Sequence, residues 1–123
     1  MSAHRALRDL FRAFEANGPG VLNDPGDAGS IEPTGYGQIC ELVTTGAETR
    51  TLAAPTKAGI RFHLRMTTDG GDCVVTASGT LNETGNTVAT FNAVGESLDL
   101  ISVTDASVIR WDIVVNTGSV GLA

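Results

Sequence analysis

Hydrophobic residues recur along this chain with two different periods, and the change between them divides it into parts. Ala3, Ala6, Leu7, Leu10, Phe11 and Phe14 recur at spacings of three and four, which lines up one face of a helix. Ser2 supplies an N-cap oxygen, and Asn17-Gly18-Pro19 stops the helix, because Gly accepts the left-handed cap and Pro cannot extend the hydrogen-bond ladder. The pattern predicts an amphipathic helix over residues 1–17. About four turns are too few to be stable alone in water, so the apolar stripe is expected to dock on its own sheet or on a neighbouring chain.

From Gly18 to Gly37 the chain holds six Gly and three Pro, a composition that breaks both helices and strands. It reads as an extended arm over residues 18–37, of the kind ordered by a partner. Val21, Leu22, Ile31 and Tyr36 are its candidate anchors.

After Gly37 the period becomes two and a β-domain is expected over residues 38–123. Gln38 to Val43 and Glu48 to Leu52 read as strands joined by Thr44-Thr45-Gly46-Ala47. Between Gly59 and Thr67, Ile60, Phe62, Leu64 and Met66 alternate with Arg61, His63, Arg65 and Thr67. Asp69-Gly70-Gly71-Asp72 follows and predicts a hairpin into Cys73 to Ala77. Further strands are expected over Thr87 to Asn92, Ser97 to Thr104 and Val108 to Asn116, the last two joined by Asp105-Ala106-Ser107. In the last strand Ile109, Trp111, Ile113 and Val115 are placed on one face and Val108 and Val114 on the other, and its apolarity predicts cover on both. Short strands punctuated at these intervals predict a mainly β fold, an antiparallel β-sandwich or small β-barrel.

Charge narrows the partners. Eight Lys and Arg stand against fourteen Asp and Glu, a formal charge of −6, which repels phosphate backbones and anionic lipid. Arg5, Arg8 and Arg12 share the first segment with Asp9 and Glu15 and read as a solvated helix face. No window has the length of apolar sequence needed to span a bilayer, and the N-terminus lacks a signal peptide's continuous apolar run. Neither nucleic acid nor membrane is expected as a partner, and the chain is expected to be made and kept in the cytoplasm.

Candidate chemistry is sparse. Cys40 and Cys73 sit in apolar runs and read as buried free thiols, although one bridge between them is not excluded by sequence. His4 and His63 have no carboxylate at a suggestive spacing and read as exposed or interface residues. Asp69, Asp72 and Glu83 read as turn residues, since the loop is too short for an EF-hand. Gly35-Tyr36-Gly37 has no following helix or lysine, so it is a turn and not a phosphate loop. No catalytic residue, metal site or cofactor is expected, and the chain is not expected to be an enzyme.

From Ile39 to Val115, about two thirds of the chain, a series of features resembles a β-module of tailed-bacteriophage virion proteins. The features are Thr51-Leu52-Ala53-Ala54-Pro55, then Ala58-Gly59-Ile60-Arg61-Phe62, and a strand running into Thr67-Thr68-Asp69-Gly70-Gly71. Val74-Val75-Thr76-Ala77-Ser78-Gly79-Thr80-Leu81-Asn82 follows, and Gly95-Glu96-Ser97-Leu98-Asp99-Leu100-Ile101-Ser102-Val103 leads to the strand bearing Trp111. The resemblance is to capsid decoration or cement proteins and to head- or tail-fibre domains; the lack of any repeat or shaft favours decoration. It implies a non-enzymatic homotrimer on the outer surface of a phage capsid, made in the host cytoplasm. Its partner is then the major capsid protein, which it stabilises through protein–protein contacts. Leu7, Leu10, Phe11 and Phe14 would anchor the helix, and Val21, Leu22 and Ile31 the arm. A receptor- or carbohydrate-binding β-module of a fibre or spike is the alternative.

Overall fold

Alternating residues from Gln38 onward do form strands with one buried side. In Arg61–Thr68, for example, Phe62, Leu64 and Met66 are buried while Arg61 and Arg65 are exposed. The computed structural model describes residues 20–123, and within these the regular structure consists of strands, with no helix. The helix expected over residues 1–17 lies outside the described residues.

The strands are β1 (Val21–Leu22), β2 (Gly29–Ile31), β3 (Gln38–Val43), β4 (Glu48–Leu52) and β5 (Arg61–Thr68), then β6 (Cys73–Ala77), β7 (Val88–Phe91), β8 (Ser97–Asp105), β9 (Val108–Thr117) and β10 (Gly121–Leu122). They form two five-stranded sheets. The front sheet has the order β1-β3-β5-β8-β9 and the back sheet β10-β7-β6-β4-β2.

The first six strands alternate between the sheets, so that β1, β3 and β5 pair in parallel in front and β2, β4 and β6 pair in parallel behind. The chain thus winds three times around one core before β7, β8, β9 and β10 close the sheets with antiparallel pairs. Both sheets are therefore mixed, which corrects the antiparallel expectation, and neither closes into a barrel. Alternation reports which side of a strand is buried but not the direction of its neighbour.

The hairpin expected between β5 and β6 is likewise corrected: these strands lie in opposite sheets. Their connection stacks on the preceding corner, Thr44–Ala47. The Thr44 hydroxyl donates to the Gly71 carbonyl at 2.7 Å and accepts from the Gly70 amide at 3.0 Å. A Cβ on Gly70 would run into the Thr44 backbone, and one on Gly71 into Gly46 and Ala47. Two glycines that looked like a tight reversal instead allow two corners to lie in contact.

The arm expected over residues 18–37 is, from Gly20 on, part of the sandwich. β1 and β2 are edge strands of the front and back sheets, and Ile31 is 1% exposed in the core. Short edge strands survive among Gly and Pro because each borrows its hydrogen-bond partners from a longer strand already in place.

The core is one cluster drawn from both sheets, with Leu42, Phe62, Leu64, Leu98, Leu100 and Trp111 from the front and Ile31, Leu52, Val75 and Phe91 among those from behind. Trp111 packs against Phe62 with ring centroids 6.0 Å apart, and its indole N–H donates to the Ala53 carbonyl at 2.9 Å. The bond satisfies the indole's single donor, so the ring is buried without a stranded polar group.

Candidate interaction surfaces

Two ion-pair networks centre on arginines, one inside the sandwich and one on the outer face of the front sheet. Arg50 of β4 points into the sandwich and its side chain is fully buried. Its guanidinium grips both oxygens of Asp24, at 2.7 and 3.0 Å, and also donates to Glu48 Oε1 at 2.9 Å. The Thr49 and Val43 carbonyls take further bonds at 3.0 and 3.2 Å. A buried cation tolerates burial only when paired and hydrogen-bonded in this way. Burial opposes charge on Asp24, but Arg50 and the amides of Val43 and Gly26 outweigh it and hold the carboxyl below its ordinary range. The pair ties the β1–β2 connection to β3 and β4, and the Thr49 amide bonded to Asp27 at 2.9 Å adds a second tie.

Arg110 of β9 is the centre of the other network. It bonds Asp105 and Asp112, each at 3.1 Å, and the Trp111 carbonyl at 2.8 Å, with Glu83 at 4.0 Å. Three carboxylates around one guanidinium leave the β8–β9 end of the front sheet negative.

The outer face of the back sheet is made by residues whose neighbours in sequence fill the core. Register places them in two rows across the strands: Ser30, Thr51, Thr76 and Val88 in one, and Thr49, Val74, Thr90 and Gly121 in the other. No charged residue stands in either row, in a chain that carries 18% charged residues. The side chains are hydroxyls, methyls and β-branched stems on short, register-locked strands. Covering such a surface strips no ion of its water, and its hydroxyls call for hydrogen-bond partners on whatever covers it.

The outer face of the front sheet differs. Arg61, His63 and Arg65 project from β5, and the Arg61 guanidinium bonds Asp99 of β8 at 3.0 Å. His63 Nδ1 lies 4.0 Å from the same carboxylate, too far for a hydrogen bond. Topology has therefore brought a carboxylate to His63 that sequence spacing did not reveal, since thirty-six positions separate the two.

β9 is the outer edge of this sheet, and its second half is open. A bulge at Val114 shifts the register, so that Val115 pairs with Asp99 on the outer face, whereas strict alternation places it beside Trp111 and Ile113. Val108, Val114 and Val115 are 62, 46 and 49% exposed. Cover on both faces, as expected from the apolarity of this strand, is not supplied by the described residues.

Of the anchors expected from sequence, Leu7, Leu10, Phe11 and Phe14 lie outside the described residues. Val21 is exposed on the front edge, Leu22 packs against the core and Ile31 is within it, so Ile31 fixes its own domain and not a partner surface. Tyr36, 70% exposed, projects from the β2–β3 connection. Cys40 and Cys73 are free and buried, and burial pushes their thiols up, to about 12 and about 11. Among the described residues no group of three His, Cys, Asp or Glu is placed to hold a metal ion. The threonine rows escaped the sequence reading because they exist only once β2, β4 and β6 are aligned in parallel.

No protein-family model matches the chain, and no curated protein matches it.

Proposed function

We propose that this chain is a non-enzymatic structural protein of a tailed-phage virion, a homotrimer that decorates the outer capsid surface and stabilises the shell by binding the major capsid protein. The observation that carries the reading is the uncharged double row on the outer face of the back sheet. On an acidic domain, such a face fits a protein neighbour and not a phosphate backbone or an anionic membrane. The buried Arg50 network supports the same reading, because it braces β4 of that sheet from inside, and a surface held rigid from within loses little entropy on docking. The resemblance of Ile39 to Val115 to phage virion modules supplies the identity of the neighbour.

The alternative, a glycan-binding module, calls for exposed aromatic rings beside polar groups. Trp111 is buried, and Tyr36 is the exposed ring among the described residues, so the decoration reading is preferred. The test is co-sedimentation with purified shells of the virus that encodes the chain. Wild-type protein should pellet with shells, and Thr51→Glu/Thr76→Glu, which puts charge into the outer row without touching the core, should remain in the supernatant while keeping its fold. Equal pelleting of the variant, or no pelleting of the wild type, overturns the reading.

A further inference from the structure

The face formed by β8 and β9 combines two features. Val108 and Val115 are exposed on it beside the half-buried Ile101 and Val103. Around them, Asp105 and Asp112 bond Arg110, Glu83 lies 4.0 Å from the same guanidinium, and the three carboxylates exceed its charge. An occupant must therefore be apolar on one side and basic at the margin.

One segment of this chain has that chemistry. Of the eight Lys and Arg and fourteen Asp and Glu, three and two respectively precede Gly20, leaving five bases against twelve acids in the rest. The first nineteen residues are thus the basic end of an acidic protein. Leu7, Leu10, Phe11 and Phe14 make an apolar stripe there, with Arg5, Arg8 and Arg12 among them.

We propose that the β8–β9 face binds residues 3–14 of a second copy of the chain. The position of Gly20 favours a second copy over the same one. Gly20 leads into β1, at the opposite edge of the front sheet from β9, so four strand spacings of roughly 4.8 Å each lie between them. To reach β9 on its own sheet, the segment must pass the basic row Arg61, His63 and Arg65 of β5. Donated to a neighbour, it meets the carboxylates instead. A contact between two different surfaces of the chain, repeated about a three-fold axis, closes into the homotrimer. The inference deepens the homotrimer part of the proposed function and does not depend on shell binding.

The test uses full-length protein in two preparations, Leu10→Cys and Val115→Cys, distinguished by a mass tag and mixed under mild oxidation. The native Cys40 and Cys73 are buried and do not compete. A disulfide joining the two preparations is expected. No bond between the two preparations, while a third preparation carrying both substitutions forms the bond within its own chain, overturns the proposal, as does no bond in any of the three. Arg8→Glu/Arg12→Glu and Val115→Glu, each checked for retained fold by circular dichroism, should both weaken self-association by about tenfold or more in sedimentation equilibrium. An oligomer unchanged by both overturns the proposal. Co-sedimentation with shells is scored separately, so loss of the decoration reading and loss of this contact give different results.

Discussion

Removing the Asp24 carboxylate alone should cost more stability than removing it together with the arginine it holds. In Asp24→Asn the guanidinium of Arg50, fully buried, loses a bidentate anionic partner and keeps Glu48 and two carbonyls. Breaking a buried pair from one side costs roughly 3–5 kcal/mol; because the Asp24 side chain is 12% exposed, about 3 kcal/mol is expected. Asp24→Asn/Arg50→Met fills a similar volume and removes both charges of the pair, while Glu48 keeps its bonds from the Thr45 amide and hydroxyl. Its cost should be about 1–2 kcal/mol. Urea unfolding followed by the fluorescence of Trp111, the only tryptophan, measures both. An Asp24→Asn loss under about 1 kcal/mol, or an Asp24→Asn/Arg50→Met variant less stable than Asp24→Asn, would refute the assignment of Arg50 as a buried cation dependent on Asp24.

The same pair predicts a pH dependence with a definite sign. The Asp24 carboxyl is held below its ordinary value of 3.8, so its contribution is complete above that value and is lost as pH falls through the lower folded one. The stability gap between native protein and Asp24→Asn should therefore be constant at neutral pH and narrow below about 3.8. A gap that widens on acidification contradicts the pairing.

Other outcomes follow from single contacts. Gly70→Ala and Gly71→Ala each drive a methyl into the Thr44–Ala47 corner and should lower stability by about 1–3 kcal/mol in the same assay, whereas Gly46→Ala, with open space at its Cβ, should cost less. Trp111→Phe keeps the packing on Phe62 but strands the Ala53 carbonyl, for a loss of about 1–3 kcal/mol by calorimetry. Ser102→Ala removes the hydroxyl that joins the Lys57 carbonyl to the Ile60 amide at 2.6 and 2.8 Å, and should raise hydrogen exchange in the β4–β5 connection. Cys40 and Cys73 should resist alkylation at pH 8 until the protein is unfolded, since burial raises both thiols to about 12 and about 11.

Much of the strand pattern was legible from residue order. The bounds of β3 and β4 follow from alternation and the intervening Gly-containing turn, and the β8–β9 pair from Asp105-Ala106-Ser107, where Ala106 and Ser107 both take positive φ. Three features were not. β1 and β2 are too short to show a period, and their Gly and Pro neighbours argue against strands until β3 and β4 stand beside them. Parallel winding was hidden because Asp69-Gly70-Gly71-Asp72 has hairpin chemistry, and only its close approach to Thr44 shows why the chain crosses to the other sheet. The interior position of Arg50 was written in Thr49-Arg50-Thr51-Leu52, where Arg50 shares the parity of Leu52, but a charged residue was not read as inward-facing. The two threonine rows depend on all of these, so the candidate surface became visible last.

Co-sedimentation of the full-length protein with purified shells, wild type beside Thr51→Glu/Thr76→Glu, tests most directly whether the back-sheet face is a shell-binding surface. Saturable pelleting of the wild type at a fixed ratio to shell subunits, abolished by the two glutamates, is the predicted result. A wild type that stays in the supernatant, or a variant that pellets equally well, would contradict it.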